Sequence, residues 1–205
     1  MELKLRLASR DDVEALCETF FSGFADEFVA QRVFPSTSTS AWDFWRRDMT
    51  EGLRDPNAHM VVVEDTSATP PTMVAFAKWS VVAAGADLPP PPTEWPEGAD
   101  HELGTNFFGE MWRKHKEIMR GQPHWYLELL STKKEYQRKG AGRMLLRWGL
   151  DRADADCWDC FLAATPAGRG LYEKFGFSEV DERHRYIHSD GKLLQLYMRR
   201  NKRGE

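Results

Sequence analysis

The chain has 205 residues, of which 41% are hydrophobic and 29% charged, and its formal net charge is −4. That length suits one domain with a sizeable core, and the charge excludes the global positive field that nucleic acids attract. No apolar run approaches the roughly 20 residues of a membrane span, and three cysteines cannot all pair, which points to a reduced, cytoplasmic or nuclear protein.

Leu3, Leu5 and Leu7 alternate with Lys4 and Arg6, the period of a short half-buried strand. The same charges leave no apolar stretch of the kind a signal peptide needs. Ser9 stands ahead of Asp11, Asp12 and Glu14, so a hydroxyl and three carboxylates meet the free amides and positive dipole end of a helix. Val13, Leu16, Phe20, Phe21 and Phe24 recur at three- and four-residue steps, predicting that helix over 10–25. A polar connector at Ser36–Ser40 leads to a second helix over 41–54, and Asp55-Pro56-Asn57 reads as a turn. Two strands follow, His59–Glu64 and Met73–Val82, joined by a proline-containing hairpin loop.

Between residues 85 and 122 the character changes. Four consecutive prolines, Pro89–Pro92, favour an extended chain, and seven acidic residues face four basic ones. Phe107, Phe108, Met111, Trp112, His115 and Met119 predict one amphipathic helix there, with Trp112 as its anchor. The segment reads as an insertion in a single domain spanning 1–205, since neither flank is long enough to stand alone.

Trp125–Leu130 is an aromatic and aliphatic strand, followed by a charged loop at 135–143 and a helix over 144–154. A short strand at Phe161–Ala164 and a helix over 167–175, ended by Gly176, come next. Phe177–Ile187 and Leu193–Met198 close the chain as a hairpin turning at Asp190-Gly191. The basic residues Arg199, Arg200, Lys202 and Arg203 read as a solvated tail.

The loop Gln137-Arg138-Lys139-Gly140-Ala141-Gly142-Arg143 carries the chemistry. Its glycines let successive N–H groups turn toward one point, and the helix behind adds its positive end. Lys133–Arg143 holds five basic residues and one acidic in a chain that is acidic overall. A phosphate-bearing ligand is the natural occupant. Neither the Walker pattern nor the dinucleotide fingerprint fits the spacing.

Leu129-Leu130-Ser131-Thr132 followed by Glu135-Tyr136-Gln137-Arg138-Lys139-Gly140-Ala141-Gly142 resembles the acetyl-CoA signature of the GNAT superfamily of N-acetyltransferases, a hydrophobic strand and then Gln/Arg-x-x-Gly-x-Gly/Ala. Gly170-Leu171-Tyr172-Glu173-Lys174-Phe175-Gly176-Phe177 is similar to the second C-terminal motif of the same family. The sequence resembles the small fungal-type members most, although the 85–122 insertion lies outside the family's common core. The resemblance implies an α/β (α+β) GNAT fold, a mixed twisted sheet of about seven strands splayed at the fourth and fifth, with about four helices plus one in the insertion.

It further implies acetyl-CoA as co-substrate and no metal. Backbone N–H groups of Arg138–Arg143 would bind pyrophosphate, and Leu129–Ser131, with Thr132 beyond, would run beside the pantetheine arm. Tyr172 matches the tyrosine that protonates the departing thiolate; the alternative is a ring packed in the core. Glu128 is the candidate general base, expected on the strand face shared with Tyr126 and Leu130, or else a solvated charge; Asp26, Glu27 and His124 are weaker candidates. Phe24, Phe28, Phe34, Trp42 and Trp45 form the core of the first helices or, in part, an acceptor wall. Cys157-x-x-Cys160 has no second pair at ligand spacing and reads as ordinary thiols. With Cys17, Cys157 and Cys160 all outside the loop, no covalent acyl-enzyme is expected.

The leading expectation is acetyl transfer to a primary amine, of a small molecule rather than of a protein lysine or N-terminus, with the insertion closing over the acceptor. A non-catalytic CoA-binding sensor would keep the same loop. The expected partners are acetyl-CoA and the amine, without nucleic acid or membrane. Monomer and homodimer stay equally open.

Overall fold

The computed structural model describes residues 1–86 and 88–202. Among them the chain runs β1 (Leu3–Leu7), α1 (Val13–Gly23), α2 (Phe28–Val33), α3 (Thr39–Gly52), β2 (Ala58–Asp65), β3 (Thr72–Val82) and α4 (His101–Met119). It continues β4 (His124–Thr132), α5 (Ala141–Ala155), β5 (Asp159–Ala164), α6 (Arg169–Glu173), β6 (Ser178–Glu179), β7 (Tyr186–Ile187) and β8 (Leu193–Arg200). The sheet order is β1-β2-β3-β4-β5-β8-β6, with β7 also on β8. Every pairing is antiparallel except β4 with β5.

The mixed sheet and its flanking helices follow the expected order, with two additions. The strand expected over 177–187 is broken by a turn at Glu182–His184, where the Asp181 carboxylate accepts from the Arg183 N–H at 2.8 Å, so the described residues hold eight strands. Helix α2 is also extra. Its six residues are too few to show a period.

Local chemistry explains the entry to α1. The Ser9 N–H donates to Asp12 Oδ2 at 2.6 Å, and the Arg6 guanidinium grips both Asp12 oxygens while reaching Glu64 on β2 at 2.6 Å. Hydrogen bonding to Arg6 holds the Asp12 carboxyl down at about 2. First strand, first helix and second strand are thereby fastened at one point.

Each face of the sheet is covered. On one face Leu145, Leu146 and Leu150 of α5 pack on Val61, Ala77, Trp79 and Leu162. On the other, Phe20 of α1, Trp45 and Met49 of α3 and Phe107 of α4 pack on Met60, Val62 and Phe76. Helix α4 is seated by Leu103, Phe107, His115 and Met119. Trp112 is not its anchor: half-buried, it donates its indole N–H to the Leu88 carbonyl at 3.4 Å and so ties the proline strap to the helix.

The basic residues at the C-terminal end are not a solvated tail either. Arg199 and Arg200 belong to β8; Arg200 is 6% exposed and forks onto Asp154 at 2.7 and 2.9 Å, and Arg199 pairs with Asp159. Lys202 is exposed, and Arg203 lies outside the described residues.

The feature that positions the site is a parting of two strands. β4 pairs with β5 only from His124↔Asp159 to Leu127↔Leu162, while its pairing with β3 continues to Thr132. The parting begins beside a bulge. Lys78 lies opposite Leu129 and Trp79 opposite Leu127, so Glu128 is the extra residue in β4. Such a bulge bends its strand and adds local twist.

Candidate active site

A cleft of about 1970 Å³ opens where β4 and β5 part. One wall is the free edge of β4, from Glu128 through Leu129, Leu130 and Ser131 to Thr132; the opposite wall is Ala163 and the chain from Thr165 to Gly176. Strand β4 keeps its extended geometry there while losing its neighbour. An extended ligand can therefore take hydrogen bonds that a strand would otherwise receive.

The Gln137–Arg143 loop closes one end. Gln137, Arg138, Gly140, Ala141, Gly142 and Arg143 all line the cleft; Lys139 does not, and its ammonium sits over the Tyr136 ring at 5.3 Å. Arg138 and Gly140 have φ of 60° and 102°, the left-handed conformation that turns the chain back before α5. Among the described residues, the N–H groups of Arg138, Lys139, Gly140, Ala141 and Gly142 have no backbone partner. They stand at the N-terminus of a 15-residue helix. Free amides, a helix dipole and the Arg138 and Arg143 side chains make this end fit a phosphate.

Tyr172 lies on the opposite wall, in α6. Its ring is buried against Phe177, with centroids 6.0 Å apart, and borders the cleft. Burial raises the phenol above its ordinary value, so it keeps its proton throughout the neutral range. Gly168 makes room for it, since a Cβ there would meet the ring at 3.0 Å.

Glu128 occupies the other end, where the cleft meets a second cavity of about 350 Å³. Its carboxylate accepts from the Ser80 hydroxyl and pairs with the Lys78 ammonium at 2.9 Å. Asp48 of α3 lies on the other side of Lys78, at 3.7 Å. Burial works to lower the Lys78 ammonium, but Glu128 and Asp48 outweigh it and hold it raised, so Lys78 stays charged. Asp48 retains more than a third of its side-chain surface, yet the protein crowded round it raises its carboxyl through desolvation.

The bulge overturns the expected facing of β4. Leu127 and Leu130 pack on the α5 side, whereas Leu129 packs on the α1–α4 side with Tyr126 on the same face as α4. Glu128 therefore does not share a face with both Tyr126 and Leu130. Of the weaker candidates, Asp26 is exposed and paired with Lys134 at 2.6 Å, and Glu27 borders the cleft with its carboxyl raised by burial. His124 lies outside the cleft, its Nε2 on His115 Nε2 at 2.6 Å. Phe24 and Phe28 line the cleft, Phe34 and Trp45 line both cavities, and Trp42 packs instead on Phe21, with centroids 4.4 Å apart.

The cysteines are unpaired. Cys160 lies within β5, not ahead of it, and burial pushes its thiol up to about 12, as it does that of Cys17. Neither borders the cleft.

Sequence reasoning missed Lys78, Ser80 and Asp48. A lone lysine in the otherwise apolar run Met73–Val82 was a signal for the first. For the other two there was none, because the bulge that gathers them leaves no mark in the composition of β4.

Residues 100–179, from the start of α4 to the end of β6, match the model of the acetyltransferase (GNAT) domain. By sequence, no curated protein matches the chain. Among solved structures, one from Corynebacterium glutamicum, described as histone acetyltransferase HPA2 and related acetyltransferase, aligns over 100% of this chain and 99% of its own at 17% identity and a TM-score of 0.67. PaiA N-acetyltransferase from Thermoplasma acidophilum, in complex with coenzyme A, aligns over 98% and 99% at 14% identity and a TM-score of 0.57. The ribosomal-protein-S18-alanine N-acetyltransferase of Escherichia coli aligns over 100% and 97% at 17% identity and a TM-score of 0.55. At these identities the likeness is one of fold: the chain has the GNAT acetyltransferase fold.

Proposed function

We propose that this protein is an acetyl-CoA-dependent N-acetyltransferase that acetylates the primary amine of a small molecule by direct attack in a ternary complex. One observation carries the reading. The cleft between β4 and β5 has a phosphate-competent loop at one end, a bare strand edge along its length, and a carboxylate at the mouth of a second cavity at the other. The matched domain and the coenzyme A complex of the Thermoplasma protein support acetyl-CoA as the ligand of the long arm. The kinship with small fungal-type acetyltransferases rests on the same C-terminal motifs.

The free amides of Arg138–Gly142 and the Arg138 and Arg143 side chains hold the pyrophosphate, and the β4 edge at Leu129–Ser131 orients the arm. Bound there, acetyl-CoA supplies an acetyl thioester as electrophile. Glu128 takes a proton from the incoming ammonium, directly or through one water, which frees the lone pair for attack. An N–H near Leu130 faces the developing oxyanion. Tyr172 donates to the departing thiolate, and its burial guarantees that the proton is present. None of the three cysteines borders the cleft, which favours direct transfer over an acyl-enzyme.

The second cavity favours a small acceptor. The strap Leu88–Pro92 and helix α4 wall it, leaving a pocket of about 350 Å³, within the range of small-molecule sites (~300–1,000 Å³). The deciding experiment incubates the protein with acetyl-CoA and a panel of amines and follows release of the free thiol. Amine-dependent release establishes transfer. Tight CoA binding without release under any amine would make the protein a CoA-binding sensor instead.

A further inference from the structure

The second cavity has a chemistry of its own. Its lining holds three carboxylates, Asp48, Asp55 and Glu128, against one ammonium, Lys78. The local balance is negative, and the desolvated Asp48 carboxyl is relieved by any cation that enters. Rings dominate the walls: Phe34, Phe44, Trp45, Phe108, Trp112 and Tyr126 line it, opposite the flat faces of the proline strap.

Trp45 adds its ring to both linings. It is 6% exposed and packed between Phe20 and Phe34, with centroids 3.7 and 5.1 Å away, and its indole nitrogen is closed off from either cavity.

We infer that the second cavity selects an arylalkylamine-type acceptor: an ammonium received between Asp48 and Glu128, and a flat aromatic body against the rings and prolines. The inference rests on the transferase reading for the role of the amine but makes a separate claim about binding. Long polyamines are disfavoured, because the carboxylates gather round Lys78 while rings and prolines make up most of the wall beyond them. Bulky peptide acceptors are disfavoured by the strap.

Binding to the CoA-loaded protein, measured by calorimetry, separates the two claims. The probes are tyramine, phenethylamine, hexylamine and spermidine. The expected order places both ring amines at least about tenfold tighter than hexylamine and spermidine. Asp48→Asn should weaken both ring amines about tenfold. CoA affinity, unchanged in the variant, reports that the fold survives.

Spermidine or hexylamine binding as tightly as the ring amines, ring amines that bind Asp48→Asn as tightly as wild type, or no binding by any probe would overturn the inference. Ring amines that bind in the expected order without releasing thiol would uphold this inference and overturn the transferase reading. Thiol release without ring preference would do the reverse.

Discussion

Lys78 and Glu128 meet across the bulge of β4, Nζ to Oε2 at 2.9 Å, at the junction of the two cavities. The bulge is what makes the meeting possible. In an unbroken ladder residue 128 would have its own partner on β3; here it is the unopposed residue, and its carboxylate rests between Ser80 and Lys78. The same irregularity lies where β4 leaves β5. Sheet geometry thus sets the carboxylate and opens the cleft at one place.

Glu128→Gln keeps the size and the Ser80 contact but cannot accept a proton. Turnover should fall by about 10²-fold or more, the usual span of a lost general base, while CoA affinity stays within about twofold. Steady-state kinetics beside calorimetry checks both. Undiminished turnover would move the base to Glu27, which borders the cleft with its carboxyl raised by burial.

Gly142→Glu tests the anion site with little risk to the fold. A Cβ at 142 would lie 3.4 Å from Leu171 and 3.6 Å from Leu130, ordinary contact distances. The added carboxylate then stands at the loop whose amides are proposed to hold pyrophosphate. Calorimetry should show CoA binding weakened by at least about tenfold, with an unchanged melting temperature; retained affinity would remove the loop from the binding site.

Tyr172→Phe keeps the buried ring against Phe177 and deletes the hydroxyl. Turnover should drop about 10- to 100-fold, with CoA affinity and melting temperature close to wild type. The wild-type rate should show no ionisation of this phenol below pH 10, because burial raises it. Turnover equal to wild type would leave Tyr172 as packing alone.

The fold was legible because its signals are local. Alternation at Leu3–Leu7, carboxylates behind Ser9, and glycine at 176 and 191 each fix one element or turn, and both glycines have positive φ, 85° and 83°. The turn ahead of α5 at Arg138 and Gly140 was legible for the same reason. What could not be read was tertiary. A one-residue bulge changes no composition, yet it reverses the face of every residue after it, so Leu130 lies on the side opposite the one that alternation predicts for it. Trp112 and Arg200 were misjudged because a helix anchor and a tail charge are defined by partners, Leu88 and Asp154, far away in the chain.

Gly149 is a packing requirement. Helix α5 crosses the sheet there with the fully buried Trp79 ring so near that a Cβ would lie 2.2 Å from it. Trp79 is further held by its indole N–H on the Leu145 carbonyl at 3.4 Å, so it cannot swing aside cheaply. Gly149→Ala should destabilise by about 1–3 kcal/mol or more through overpacking, despite alanine's better helix propensity. Urea titration measures it. A stabilised variant would mean that the helix shifts freely over the ring.

His115 and His124 give stability an acid limb. Their Nε2 atoms are 2.6 Å apart, so one ring donates and the other accepts, and His124 Nδ1 lies 2.7 Å from the Gln122 carbonyl. Burial first, then His124, takes His115 down to about 3, and burial lowers His124 also. The folded pair refuses protons that the unfolded chain accepts below its ordinary value near 6.5. Stability is therefore fully present above about pH 6.5 and declines as pH falls toward 3, by up to about 1.4 kcal/mol per pH unit for each group. His115→Phe preserves the stack on Phe161, whose centroid is 4.5 Å away, but removes one of the two sites. Whatever it does to absolute stability through the stranded His124, the slope of unfolding free energy between pH 6.5 and 5 should shrink by about one proton. An identical slope in the variant would show that this pair does not set the acid limb. The pair also joins α4 to β4, and α4 walls the second cavity. Amine binding should therefore weaken over the same interval, before the domain unfolds, if protonation loosens the helix from the strand.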